Sequence, residues 1–295
     1  MNVNNGSTNI KGFIPGFKYV SISITGRQCS LMCEYCRGYY LRGMKSASTP
    51  KQLYDLVRQL YKEGVKGILI SGGFNENGYL PVEPYLPTIK QIKNEFDIVV
   101  SIHTGLVNEA LATKLREAKI DVVDYELIID DDVIRNVMHL YNKKGEDFIK
   151  AYETLHKYGP PYIIPHILIG ANYGKITMEF EAVNTAITTN PEILVLLILN
   201  PTLGTPMQFT EIPDVDEVVE LVRYVRRVFN GQISLGCMRP LSTKHVLDNK
   251  LCELGIIDRI VNPLRSTYDR FKLSIVNSCC SIPDELLKNH GMIII

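Results

Sequence analysis

The chain lacks a net charge and has no long apolar run, and each absence excludes a class of protein. Its 295 residues carry 32 Lys and Arg against 32 Asp and Glu, so the formal charge is zero. A neutral chain lacks the basic surface that nucleic acids attract, and we expect no nucleic acid among the partners. Hydrophobic residues make up 45% and charged residues 22%, which is typical of a globular rather than a disordered protein.

The longest uninterrupted apolar run covers only residues 193–199. A membrane-spanning helix needs about 20 apolar residues, whereas this length suits a buried strand. Residues 1–7 are polar and lack the apolar stretch of a secretory signal peptide. These patterns predict a cytoplasmic protein without a membrane partner.

Cysteine is absent from the 200 residues between 37 and 236, and the 7 cysteines of the chain fall into two groups. Three lie within residues 29–36, and four lie in the last fifth of the chain. An odd number without a secretory segment argues against a disulfide framework, so we examined the cysteines as metal ligands. They are Cys29, Cys33, Cys36, Cys237, Cys252, Cys279 and Cys280.

Short β-rich runs alternate with amphipathic segments along the chain, which predicts parallel strands joined by right-handed helical crossovers. A TIM-type (β/α)8 barrel takes about 250 residues. We therefore predict one α/β domain, residues 1–295, with a short N-terminal arm, a barrel over about 19–262 and a C-terminal extension over about 263–295. A doubly wound open sheet is the alternative. The predicted strands cover residues 19–25, 67–71, 98–103, 122–127, 162–169, 193–199, 232–235 and 257–261, with a further strand at 273–276.

The three clustered cysteines, Cys29, Cys33 and Cys36, follow the first predicted strand, and Cys237 follows the seventh. Barrel active sites lie at the carboxyl ends of the strands, so both groups are predicted at one face. The spacing CxxxCxxC suits three irons of one [4Fe–4S] cube and leaves the fourth iron open. Zinc is the nearest alternative, but structural zinc needs a fourth ligand, and none lies close in sequence.

The segment 29–36, with Tyr35 before the last cysteine, resembles the signature of the radical S-adenosylmethionine (radical SAM) superfamily. The resemblance implies an enzyme whose [4Fe–4S] cluster, on Cys29, Cys33 and Cys36, binds SAM and cleaves it to a radical that abstracts a substrate hydrogen. It also implies an electron donor such as ferredoxin.

Further positions are similar to SAM-binding motifs of that family. Gly72 and Gly73 match its GGE motif, although Phe74 replaces the glutamate and leaves the polar contact to the backbone or to Asn75. The strand ending at Gly170 lies where the family carries its adenine-binding strand, GxIxGxxE. The family's final glutamate falls on a tyrosine, Tyr173.

The ribose hydroxyls of SAM need a polar partner, for which Glu126 or the acids Asp130, Asp131 and Asp132 are candidates. A helix N-terminus explains the three aspartates equally well. The resemblance thus implies SAM contacts from Tyr35, Gly72, Gly73, Glu126 and Gly170.

The late cysteines indicate a second iron–sulfur cluster above the barrel mouth, with Cys237, Cys279 and Cys280 as ligands. Ser266 or Cys252 is a candidate for completing it, although Cys252 lies in an amphipathic helix and suits the core better. A redox pair and plain packing are the alternatives.

Residues 26–36, the segment LGCMRP at 235–240 and the adjacent late cysteines together resemble archaeal biotin-synthase-like proteins, two of which form a two-protein lipoyl synthase. The resemblance implies a sulfurtransferase that inserts sulfur at unactivated C–H bonds of an octanoyl group. A lipoyl-carrier protein or domain would be the substrate and a second radical SAM protein a partner. We expect His103 and Arg239 to contact a carboxylate of SAM or substrate. The alternatives are another cofactor-biosynthesis reaction, such as a biotin-synthase-like reaction, a methylation or a rearrangement, and a non-enzymatic iron–sulfur electron carrier.

Overall fold

The computed structural model describes residues 10–292, which leaves residues 1–9, with the polar segment 1–7, and the last three residues outside the description. Within it, eleven strands form one curled sheet in which every pairing is parallel. The strands are β1 Lys11–Phe13, β2 Tyr19–Ser23, β3 Lys45–Ser46, β4 Gly67–Ser71, β5 Val99–His103, β6 Val122–Glu126, β7 Tyr162–Ile169, β8 Ile193–Ile198, β9 Gln232–Leu235, β10 Arg259–Val261 and β11 Ser274–Val276.

All eight predicted barrel strands are present, as β2 and β4 to β10, and the predicted further strand is β11. The sheet order is β11-β1-β10-β9-β8-β7-β6-β5-β4-β2-β3. From β4 to β10 each strand lies beside its predecessor, which confirms the TIM-type arrangement and excludes a doubly wound order. The N-terminal arm supplies β1, which pairs with β10 and carries β11 on its other side.

Helices cover the outer face of the sheet. In α1, Thr49 caps the first turn, and Leu53, Val57 and Leu60 form the buried stripe that their spacing predicts. The helices are α1 Pro50–Lys62, α2 Leu86–Glu95, α3 Glu109–Glu117, α4 Gly145–Tyr158, α5 Glu179–Ile187, α6 Val215–Val228, α7 Leu241–Leu254, α8 Arg265–Phe271 and α9 Asp284–Asn289. Between residues 10 and 292, no helix is long and apolar enough to cross a membrane.

The inner face of the sheet encloses a lumen with its own apolar cluster, which includes Phe13, Val122 and Val261. The ring of Tyr19 lies across Gly67, where an added Cβ would come within 2.2 Å of it. The Tyr19 hydroxyl donates to Ser101 Oγ at 2.7 Å.

The C-terminal segment closes the lumen at the amino ends of the strands. Arg259, the first residue of β10, donates to the carbonyl oxygens of Cys280 and Ile282 at 2.7 Å and to Asp284 at 2.8 Å. Tyr162, the first residue of β7, donates to Glu285 at 3.0 Å. These contacts seat α9 beneath the barrel.

The C-terminal segment that closes the lumen is called the plug below. Its position corrects the sequence-based placement of Cys279 and Cys280. We expected them above the mouth, but Cys280 belongs to the lumen cluster and Cys279 packs against it. The reason is that the chain reverses after β11 and descends through the lumen to α9.

Candidate active site

The cysteine loop, which carries the three cysteines of residues 29–36, follows β2 and is hydrogen-bonded to the turn after β4. Gly73 N donates to Thr25 Oγ1 at 2.7 Å, and the same hydroxyl donates to the Gln28 carbonyl at 2.9 Å. A Cβ on Gly73 would lie 2.0 Å from Gln28 O and 2.4 Å from Cys29 Cα. Glycine is therefore required where the two loops meet, next to the first cysteine.

A histidine that sequence reasoning missed holds the other end of the cysteine loop. His139, in the loop after β6, contacts the Leu31 carbonyl oxygen through Nδ1 at 2.8 Å and Glu34 Oε1 through Nε2 at 2.9 Å. The backbone N–H of Glu34 also donates to Val137 O at 2.9 Å. His139 is 105 residues from Glu34, so no local pattern could indicate this contact.

The three thiols do not have equal acidity. Cys33 donates a hydrogen bond to Cys36, which lowers the pKa of Cys36 and raises that of Cys33 well above its usual value. Cys36 is thus the more readily ionised of the two, and the thiolate is the form that binds metal.

No group of three or more histidine, cysteine, aspartate or glutamate side chains within residues 10–292 converges closely enough to hold a single metal ion. A four-iron cluster takes one cysteine on each iron and so uses thiols that stand apart from one another.

Glu126 ends β6 beside the cysteine loop, as expected of a SAM-binding residue. Burial raises its pKa to about 7, and a hydrogen bond with Tyr35 opposes this rise. Two of the competing acids are occupied: Asp130 accepts from the backbone N–H groups of Asp132 and Val133 and from the Thr177 hydroxyl, and Asp131 accepts from the N–H of Gly145. Asp132 is exposed. Glu126 is therefore the acid of this loop that stands at the site.

The raised pKa of Glu126 predicts that the cluster-free protein loses stability as the pH rises. The unfolded carboxyl releases its proton near pH 4.5, but the folded one keeps it to about pH 7. Folding is thus penalised progressively between these values and fully above them. Glu126→Gln should raise the free energy of unfolding near pH 8 by about 2–3 kcal/mol and have little effect near pH 4.5. Urea denaturation across this range measures the difference, and Glu181→Gln, at an exposed position, is the control.

Gly170 follows β7 with a positive φ of 81°, and a Cβ there would lie 2.3 Å from Pro213 Cγ. Its N–H donates to the buried carboxylate of Glu179 at 2.7 Å. Sequence reasoning missed Glu179 because it sought the acid three positions after Gly170, at Tyr173, which is exposed. An apolar pocket that includes Ile129, Leu168 and Ala171 opens beside this turn.

Below the cysteine loop, the lumen contains a polar group of side chains. His103 Nε2 stands 3.9 Å from Asp124 Oδ2, and the His103 and His166 rings meet edge to face at 5.9 Å. The surrounding protein desolvates the His103 ring and lowers its pKa to about 4. The charge of Asp124 opposes this fall. His103 is therefore neutral near pH 7 and would contact a carboxylate, as we expect, through a hydrogen bond rather than a positive charge.

Cys237 lies just after the end of β9, where it is exposed to solvent. Desolvation is the main cause of the raised pKa of Cys237, and the charge of Cys279 raises it further. Desolvation is the largest cause of the raised pKa of Tyr40, and the hydrogen bond to Thr202 opposes it. The charges of Cys36 and Cys237 raise this pKa further. Tyr40 therefore lies near Cys36 and near Cys237.

Cys279 and Cys280 form a donor and acceptor pair. The thiol of Cys280 donates to Cys279, which lowers the pKa of Cys279 and raises that of Cys280 well above its usual value. The charge of Cys237 contributes further to the rise at Cys280. Cys279 and Cys280 thus lie in contact, and Cys237 lies within range of their charge.

Three expected residues are engaged elsewhere in the structure or lie outside the lumen. Arg239 is fully engaged in structure, because it forms a bidentate pair with Asp248 at 2.9 and 3.0 Å and also donates to Gly236 and Val261 carbonyls. Cys252 is completely buried in α7, and burial raises its pKa to about 12. Ser266 is exposed on α8. Arg239 is therefore not the free carboxylate partner that we expected, and neither Cys252 nor Ser266 completes a cluster with the lumen cysteines.

A family model described as the Radical SAM superfamily matches residues 23–182, more than half of the chain. The match begins in β2 and includes the cysteine loop, Gly72, Gly73, Glu126 and Gly170. No curated protein matches the chain by sequence.

Solved structures with a similar fold include three proteins of 15–20% sequence identity. Methylornithine synthase (PylB) has a TM-score of 0.60 over 97% of this chain and 84% of its own, at 15% identity. HydG from Carboxydothermus hydrogenoformans, an FeFe-hydrogenase maturase, has 0.63 over 96% and 77%, at 16% identity. SuiB from Streptococcus suis has 0.55 over 75% and 50%, at 20% identity. At these identities the likeness establishes the fold alone.

Proposed function

This chain belongs to the radical SAM superfamily, and from that premise we propose that it inserts sulfur at unactivated C–H bonds of a protein-bound octanoyl group. Family membership implies an enzyme with a [4Fe–4S] cluster and SAM. The observation that supports the finer proposal is that Tyr40 lies near Cys36, of the first cysteine group, and near Cys237, of the second.

The cysteine loop fits the first cluster. Three thiols lie in one loop, Cys36 has a lowered pKa, and Gly73 presses the backbone against Cys29. We assign Cys29, Cys33 and Cys36 as its ligands. The bound cluster, with an electron from a ferredoxin-like donor, supplies the reducing power that cleaves SAM.

The chain's own residues would bind and orient SAM around that loop. The Gly72-Gly73 turn packs closely against Thr25 and Cys29 and so holds its backbone beside the cysteine loop. We assign the adenine ring to the turn at Gly170, which follows β7. Glu126, held by Tyr35, is placed to accept hydrogen bonds from ribose hydroxyls. Its pKa near 7 means that such donors would also favour its ionised form.

For the sulfur donor we propose a second cluster on Cys237, Cys279 and Cys280. Cys279 has the lowered pKa that a ligand needs, and the other two thiols lie close to it. Leu69 and Leu197 line the same lumen as partly buried apolar side chains, which supports an acyl chain as the substrate. We propose that a lipoyl-carrier protein or domain presents this chain, together with a second radical SAM protein.

A second candidate function is a radical SAM reaction on a small polar substrate. The observation that favours it is the polar lumen around Asp124, His103 and His166, which suits a group that donates hydrogen bonds. The two candidates differ in what stimulates SAM cleavage.

Iron counting and product analysis test the proposal together. After anaerobic reconstitution, we expect about eight irons per wild-type chain and about four in Cys237→Ser and Cys279→Ser, because each cube holds four. Mass spectrometry of octanoylated carrier protein with SAM and reductant should find added sulfur with the wild type only. About four irons in the wild type would exclude the sulfur-donor cluster. Formation of 5′-deoxyadenosine only with a small polar substrate would favour the second candidate.

A further inference from the structure

The ring of His139 faces a hydrogen-bond acceptor at each of its nitrogens. Nδ1 lies 2.8 Å from the Leu31 carbonyl oxygen, and Nε2 lies 2.9 Å from Glu34 Oε1. A carbonyl oxygen can only accept, and Glu34 is held as a carboxylate because Arg37 donates to the same oxygen at 3.0 Å. Both ring nitrogens must therefore carry a proton, which makes His139 an imidazolium. Leu31 and Glu34 flank Cys33, so this cation is joined to the cysteine loop on both sides of that thiol.

The backbone on both sides of this contact has an uncommon conformation. His139 has a φ of 62°, and Met32 and Arg37, in or next to the cysteine loop, have φ values of 46° and 44°. Left-handed backbone at residues other than glycine costs free energy and persists only where surrounding contacts hold it. The two ring contacts and the bond from the Glu34 N–H to the Val137 carbonyl oxygen, at 2.9 Å, are such contacts.

The charged groups around the His139 ring do not cancel. Glu34 carries one negative charge and is shared by two cations, Arg37 at 3.0 Å and His139 at 2.9 Å. Glu76 and Lys143, which line the cavity beside the ring, offset each other. A net positive charge is therefore left next to the loop that carries three thiols.

We propose that His139 is a positioning residue for the first cluster: it holds the cysteine loop in the shape that binds iron, and its charge raises the reduction potential of the cluster. This inference rests on the proposed function only through the assignment of the first cluster to Cys29, Cys33 and Cys36, and not through the sulfur donor. A cation beside an iron–sulfur cluster favours the reduced form, which carries one more negative charge. His139 therefore makes the protein easier to reduce by the ferredoxin-like donor.

Two conservative variants each keep one of the two ring contacts. The amide nitrogen of Asn lies near the Nδ1 position and that of Gln near the Nε2 position, so His139→Asn and His139→Gln separate the two bonds, and neither carries a charge. Asn also tolerates a positive φ. The matched control is His290→Asn, since His290 likewise contacts a carbonyl oxygen, of Leu286 at 3.0 Å, and a carboxylate, of Asp97 at 3.1 Å. His290 follows α9, at the opposite end of the barrel.

Each variant is made in full-length Cys237→Ser, in which we expect only the first cluster. We expect both His139 variants to lower the reduction potential of the cluster in a redox titration followed by EPR spectroscopy. The affinity for the cluster iron, measured against a chelator, should fall about 10–100-fold, the usual cost of losing a contact that orients metal ligands. In the cluster-free proteins, amide hydrogen exchange over residues 30–37 should become faster while the barrel strands stay protected. His290→Asn should match the parent in all three measurements.

An unchanged potential and an unchanged iron affinity in both His139 variants would overturn the proposal. Faster exchange throughout the barrel, or equal losses in His290→Asn, would also overturn it, because the effect would then be a general loss of structure. The sulfur-donor proposal fails separately, if the wild type holds only about four irons. The comparison at His139 is then made in the wild type, since it concerns the first cluster alone.

Discussion

Cys36→Ser should reduce the cleavage of SAM to the background rate and remove about four irons from the reconstituted protein, because it deletes a ligand of the first cluster. Cys36 is the critical choice, since its pKa is lowered by the Cys33 thiol and it is the more readily ionised of the two. Serine keeps the shape but ionises far less readily and is a harder ligand, which iron–sulfur clusters disfavour. Production of 5′-deoxyadenosine under strong reductant, with iron counting, measures both losses.

The matched control is the same substitution at Cys252. This thiol is completely buried in α7 and has its pKa raised to about 12, so it takes no part in ligation. We expect Cys252→Ser to retain the iron and the activity and to lose about 1–3 kcal/mol of stability from the buried hydroxyl. Equal loss of iron in both variants would indicate unfolding, and full activity in Cys36→Ser would contradict the assignment.

The eight barrel strands could be predicted because their signal is local. Each strand is a short apolar run followed by an amphipathic segment, as with β4 and the buried Leu86, Ile89 and Ile92 of α2. Packing on both faces of a parallel sheet imposes that pattern on the sequence. The cysteine spacing and the Gly72-Gly73 pair are local in the same sense.

The remaining features of the site depend on contacts between distant residues. The Lys11 to Asp284 pair spans 273 residues, and β1 lies between β10 and β11, which no periodicity reveals. The lumen position of Cys279 follows from the plug, so the sequence misled us about its height in the barrel. Arg239 next to Cys237 suggested a substrate contact, but its partner is Asp248.

Arg259 connects the stability of the fold to the second cysteine group. Its buried guanidinium donates to the Cys280 and Ile282 carbonyl oxygens and pairs with Asp284 at 2.8 Å. Its cation also lies 5.0 Å from the centre of the Phe13 ring. One side chain therefore fixes the segment that carries Cys279 and Cys280.

Arg259→Met should lower the free energy of unfolding by about 3–5 kcal/mol, because it leaves the buried Cys280 and Ile282 carbonyl oxygens without their donor and removes one partner of Asp284. Chemical denaturation measures this, and Arg265→Met is the control, since Arg265 pairs with Asp269 on the exposed surface and should matter by less than about 0.5 kcal/mol. In the folded fraction we also expect iron to fall toward about four per chain while SAM is still cleaved, because Arg259 does not contact the cysteine loop that follows β2. Loss of both activities together would mean that the plug supports the whole barrel. Unchanged stability would show that the C-terminal segment is held by other contacts.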